Sequence, residues 1–204
     1  MCGRYSLHSN PQVVALQFGL DAVPDFAPRY NIAPAASALI VRREGGALAH
    51  WGLKGSLHNA RAETLGVKLS FRDAYHRRRC LIPANGFYEW KREGTLKQPY
   101  YIHPAQRELF AFAGLWERWQ GRDTFTVITM EANFAMRAIH DRMPVIIAPE
   151  HYAGWLHGEE GLLRPAPYNA LRSHPVSPAV NHAANESPQL IVPLESEIQK
   201  SLFN

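Results

Sequence analysis

If Met1 is removed, Cys2 becomes the terminal residue of the opening stretch MCGRYS and carries an α-amine and a thiol on adjacent carbons. An α-amine titrates near ~8, so part of it is neutral and nucleophilic at cellular pH. Two chemistries use the pair. The thiol can attack an amide carbonyl with the amine as base, or both groups can capture one aldehyde as a five-membered thiazolidine. An inert small residue after the start is the alternative this stretch leaves open.

Three further segments supply groups that such chemistry needs. In NARAET, strand alternation puts Asn59, Arg61 and Glu63 on one face and Ala60 and Ala62 on the other. The amide and guanidinium suit an anionic or carbonyl-bearing ligand, although a solvated edge strand fits the same pattern. In RCLIPANGFYEW, Phe87, Tyr88 and Trp90 crowd Glu89. Apolar crowding disfavours the carboxylate and moves its pKa toward the range of proton transfer, while a strand-end glutamate paired with an arginine is the structural alternative. In IHDRMPV, an extended chain puts His140 and Arg142 on one side and Asp141 on the other. Imidazole exchanges a proton near neutrality and guanidinium holds an anion, yet a lone histidine is commonly structural. The run Arg77, Arg78 and Arg79 falls at an expected helix C-terminus, where positive charge complements the dipole as well as it suits a phosphate.

The elements that must position these groups are mostly strands. ALIVRR, AHWGL, CLIPANGFYEW, PYYIHP, LFAFAGLWERW, FTVITM and MPVIIA are β-branched and aromatic runs bounded by Gly, Pro or Asn. Helical signals are fewer. SNPQVVALQFGL has polar caps with Pro11 in its first turn, SFRDAYHRRR opens with a Ser70-to-Asp73 capping-box spacing, and PEHYAGWLHG starts at Pro149 and stops at Gly158. GEEGLLRPAPYN reads as a loop. The pattern predicts a single α+β domain over residues 1–204, with a mixed barrel-like sheet and peripheral helices.

Composition narrows the class. Cys2 and Cys80 are the only cysteines and form no CxxC pair, which points away from a disulfide framework or cysteine zinc site and toward a reducing compartment. The ten histidines are scattered without HExxH spacing, so neither metal nor organic cofactor is expected. MPVIIAP and LIVPL fall far short of the ~20 apolar residues that span a bilayer, and the N-terminus lacks a secretory pattern. A soluble, cytoplasmic chain is expected, nucleoid-associated when bound to DNA. The net charge of +4 suits a polyanionic partner.

Taken in order, MCGRY, RYNIAPA, NARAET, RCLIPANGFYEW, KQPYYI, IHDRMPVII and HPVSPAVN closely resemble the SOS-response-associated peptidase (SRAP) family, from Met1 to about Pro193. The resemblance implies a compact SRAP fold that recognises abasic sites in single-stranded DNA and crosslinks to them through the terminal cysteine. It makes Cys2 the crosslinking residue, places Asn59 near the captured sugar, and has Glu89 assist proton transfer while His140 acts on the opening deoxyribose ring. Arg4, Arg61 and Arg142 become phosphate and sugar contacts. The further expectations are AP lyase and self-processing peptidase activity, a part in the DNA damage response, and a monomer that needs no metal or membrane. One departure stands out: after HWGL the family usually continues with Pro and Trp, whereas this chain reads KGSLHNARAE, which leaves any junction preference open.

Two rival readings follow from the same residues. N-terminal-nucleophile amidohydrolases, including glutamine amidotransferases, also begin with Met-Cys-Gly. A non-catalytic single-strand binder would use arginines with Trp51 and Trp90 as stacking platforms.

Overall fold

The structure is a computed structural model that describes residues 2–194; Met1 and residues 195–204, part of the expected single domain, lie outside the described residues. Strand β1 (Tyr5–Leu7) leads into helix α1 (Pro11–Phe18), which Asn10 caps and Gly19 ends in the left-handed conformation at φ 64°. Next come β2 (Arg29–Ile32), β3 (Ser37–Arg42), β4 (Gly45–Trp51), the short β5 (Asn59–Arg61) and α2 (Leu69–Arg77). Five longer strands follow: β6 (Arg79–Ala84), β7 (Gly86–Glu93), β8 (Leu96–Pro104), β9 (Phe110–Trp119) and β10 (Arg122–Glu131). The described chain is completed by α3 (Phe134–Arg137), β11 (Arg142–Pro144), β12 (Ile146–Ile147), α4 (Tyr152–Leu156) and β13 (Leu171–Pro175).

Strands β10, β4, β3, β6 and β9 pair in turn, and β9 pairs back to β10, closing a five-stranded barrel. The β4–β10 pairing is parallel, which makes the barrel mixed, and closure leaves its strands without open edges. Strand β5 continues the parallel pairing along β10 with Asn59 opposite Val127, and β11 lies antiparallel to β10 with Arg142 opposite Glu131. Packing is tight inside. A Cβ added at Gly114 would fall 2.6 Å from Ile82 Cδ1 and 2.9 Å from Cys80 Sγ, so two neighbouring strands approach closely only because no side chain stands there.

A second, antiparallel sheet has the order β13-β8-β7-β1-β2. Asn85 makes the corner between the two sheets. Its buried Oδ1 accepts from the backbone N–H groups of His8 and Ser9, and its Nδ2 donates to Ser9 Oγ and to the Glu108 carbonyl. The segment 177–186 clasps this sheet from the far end of the chain. Asn31 Nδ2 donates to the carbonyls of Val180, His182 and Asn185, and Glu186 accepts from Arg29 Nε and from the N–H groups of Tyr30 and Asn31.

The α+β architecture agrees with the sequence reading, but several local expectations are corrected. Helix α2 starts at Leu69 with Lys68 at the cap and no capping side chain, so Ser70 lies inside the helix; Asp73 instead pairs with Arg77 and Arg78. Arg79 is buried, stacked on Tyr75 and Trp155 at 4.4 and 4.6 Å, which makes it a structural residue rather than an anion contact. NARAET does not stay extended: the strand ends at Arg61 and Ala62–Thr64 form a 3-10 turn, so Glu63 leaves the face shared by Asn59 and Arg61.

Candidate functional site

Strand β1 pairs with β7 only at Tyr5 opposite Phe87 and Ser6 opposite Gly86, and the Tyr88 N–H donates to the Arg4 carbonyl at 3.0 Å. The antiparallel direction then carries Gly3 and Cys2 past Glu89. Cys2 is fully buried. Burial first, and the Glu89 carboxyl second, push its thiol far above the usual range, so the sulfur is held as S–H. Asn59 Nδ2 donates to the Cys2 carbonyl at 2.9 Å, fixing the main chain of the cysteine. Asn59 Oδ1 is buried with no donor among the described residues, an acceptor placed beside Cys2.

Glu89 is only 2% exposed, and desolvation pushes its carboxyl up from 4.5 to about 7. His140 Nε2 lies 3.9 Å from Glu89 Oε2, too long for a direct hydrogen bond and wide enough for a substrate oxygen to bridge the two. Burial lowers the His140 pKa, which keeps the ring neutral at pH 7. Its Nδ1 accepts the Arg142 backbone N–H at 2.9 Å and also lies 2.9 Å from Asp141 Oδ1; in the neutral tautomer that keeps the Arg142 bond, the proton is on Nε2, the nitrogen nearer Glu89. In that tautomer the site holds a carboxyl raised to about 7 beside an N–H donor.

Four of the expected residues thus converge: Cys2, Asn59, Glu89 and His140. The expected DNA contacts divide. Arg142 gives both Nη groups to the Glu63 carboxylate, at 2.6 and 3.0 Å, and Nη2 also donates to the Thr129 carbonyl; this pairing holds the Glu63 carboxyl below its ordinary range. Arg4 donates to Asn31 Oδ1 and to the Val180 carbonyl. Both guanidinium groups are spent on partners within the fold. Arg61 is exposed, and its guanidinium has no acceptor among the described residues. Trp51 is corrected outright as a stacking platform: it is fully buried against Tyr5 and Phe125, with Nε1 donating to the His58 carbonyl. Trp90 is half-buried and donates from Nε1 to Asn181 Oδ1 at 2.8 Å.

Glu89 and His140 open into a cleft of about 430 Å³, which Trp90, Arg92, Lys97 and Asn181 complete. Sequence reasoning missed Arg92, Lys97 and Asn181. The signal for the two cations was in KREGTLK, where a turn at Gly94 (φ 63°) brings them opposite one another. A larger cavity of about 580 Å³, lined by Leu109, Ile147, Tyr152 and Pro165 among others, contains none of the converging residues. The smaller cleft is therefore the site that its chemistry marks.

The closed barrel and flanking sheet form a fold shared with solved structures. A protein of Bacteroides thetaiotaomicron superposes with a TM-score of 0.84 at 23% identity, covering 95% of this chain and 100% of that one. Residues 1–183 match the family described as SOS response associated peptidase (SRAP), and the chain belongs to that family. It is similar to the abasic site processing protein YoqW of Bacillus subtilis, at 38% identity over 94% of this chain and 99% of the relative. It is also similar to the abasic site processing protein YedK of Escherichia coli, at 30% identity over 95% and 100% of the two chains.

Proposed function

We propose that this chain recognises abasic sites in single-stranded DNA and captures them covalently through Cys2 after removal of Met1. The observation that carries the reading is the convergence of Cys2, anchored by Asn59, with a carboxyl at Glu89 raised to about 7 and His140 Nε2 3.9 Å from it. The names of the two relatives, abasic site processing proteins, supply the substrate class.

An abasic deoxyribose is largely a closed hemiacetal. Nε2–H of His140 donates to the ring oxygen as the ring opens, and the Glu89 carboxylate takes the proton of the hydroxyl on C1, giving the aldehyde. The Cys2 amine adds to this carbonyl, and loss of one water leaves an imine. The thiol then adds to the imine carbon and its proton passes to the nitrogen, so ring closure expels nothing. A thiol kept protonated by burial suits this order, amine first. An intermediate imine also accounts for strand cleavage by β-elimination, and removal of Met1 is the only peptide cleavage the reading requires.

The test is the intact mass of the processed chain after incubation with single-stranded DNA bearing one abasic site. The expected product has the summed masses less one water. A processed chain that binds this DNA but yields no such product overturns the reading, as does a stable adduct of the same mass shift formed with Met1 retained.

A further inference from the structure

Arg92 on β7 and Lys97 on β8 stand directly opposite one another across the hairpin, and both line the cleft that holds Glu89 and His140. Like charges directly opposite on a sheet are destabilising. Nothing nearby relieves this pair. The adjacent carboxylate, Glu93, is engaged by Lys91 at 2.9 Å, and neither Arg92 nor Lys97 has an acceptor among the described residues. Alternation puts Trp90 on the same face as Arg92, and Asn181, which accepts from Trp90 Nε1, closes that side. The arrangement is two uncommitted cations, an aromatic edge and an amide around one opening. Arg4 and Arg142, by contrast, spend their donors on the protein.

We infer that Arg92 and Lys97 form a phosphate-binding pair at the mouth of the cleft, clamping a backbone phosphodiester of single-stranded DNA next to the nucleotide that enters it. The inference rests on the proposed function for its ligand, and it moves the main backbone contact from the expected arginines to the β7–β8 hairpin. Guanidinium and ammonium from facing strands would hold one phosphate between them, so the repulsion that strains the empty hairpin becomes attraction when DNA is bound.

The experiment separates binding from capture by using single-stranded DNA with a tetrahydrofuran in place of the abasic sugar, which has no aldehyde. Fluorescence anisotropy across a sodium chloride series should show the slope of log affinity against log salt falling by about 1 in Arg92→Ala and in Lys97→Ala. Arg92→Glu should weaken binding further while raising the melting temperature of the DNA-free protein by about 1–3 °C, since it replaces a like-charged pair by an opposite-charged one. Opposite signs on the two readouts are what a residue of merely structural importance does not give. Unchanged salt slopes in both alanine variants overturn the inference, and so does a lower melting temperature in Arg92→Glu. A rise in parental melting temperature with inorganic phosphate at matched ionic strength, lost in the variants while their DNA salt slopes stay parental, identifies a small-anion site and also overturns it. If the parent forms no adduct with a true abasic site yet the variants lose salt slope, the crosslinking reading fails and the phosphate pair stands.

Discussion

Cys2 and Cys80 are both fully buried, and burial raises both thiols far above their usual range, yet their surroundings differ. Cys80 sits in barrel strand β6 with its sulfur next to the Gly114 position, walled by residues such as Ile82. Cys2 has Asn59 on its carbonyl and the Glu89 carboxyl as an electrostatic neighbour. Thiol burial therefore does not set the two cysteines apart. What distinguishes Cys2 is polar groups brought to an otherwise apolar place, where an unpartnered acceptor and a raised carboxyl are costly to keep.

The comparison can be broken most directly at the two sulfurs. Cys2→Ala should lower the yield of stable adduct by at least about 100-fold, whereas Cys80→Ala should keep parental yield and lower the melting temperature by about 2–4 °C. Intact mass and thermal melting read the two outcomes, and equal adduct loss in both variants would erase the distinction.

Glu89→Gln should slow single-turnover capture by about 100-fold. It should also stabilise the protein at alkaline pH, and the sign follows from the raised carboxyl. Between 4.5 and about 7 the folded state binds more protons at Glu89 than the unfolded chain does. Its contribution is thus fully present below the unfolded pKa and is lost as pH rises through the folded one. A rise from 4.5 to about 7 corresponds to on the order of 3 kcal/mol. The variant should match the parent near pH 5 and exceed it in denaturant melts at pH 8; a variant less stable than the parent at pH 8 contradicts the burial argument.

Smaller effects sharpen the contrast between scaffold and site. Asn59→Ala removes the anchor of the Cys2 carbonyl and should slow capture by about 2–10-fold, the worth of one neutral hydrogen bond, with stopped-time mass analysis as the readout. Gly114→Ala should do the reverse. The added methyl overpacks the barrel beside Cys80 and costs about 1–3 kcal/mol of stability, while capture at 25 °C stays parental.

The strand runs of the barrel were legible because β-branched and aromatic residues between turn formers carry a local signal. The strands Tyr5–Leu7, Arg29–Ile32 and Leu171–Pro175 were not, being short and decided by partners distant in sequence. Glu89 and His140 were legible as candidates by type and neighbourhood, while the roles expected of them came from the family resemblance. The fate of Arg4, Arg142 and Trp51 was illegible, since whether a guanidinium meets DNA or a protein carbonyl depends on which strand lies beside it, and a tryptophan's exposure depends on which way its strand faces. The Arg92–Lys97 pair needed the hairpin register, which a sequence fixes only once the turn at Gly94 is located.

The clasp formed by segment 177–186 has a consequence for the timing of synthesis. Arg4 reaches the Val180 carbonyl at 2.7 Å across a separation of 176 residues, and Trp90 reaches Asn181. Strand β1 is thus secured by a segment synthesised long after it, and contacts of such separation form late in folding. A nascent chain can build its barrel strands while the segment around Arg4 is still unfastened. The cleft beside Glu89 and His140 is complete only once Asn181 has been made.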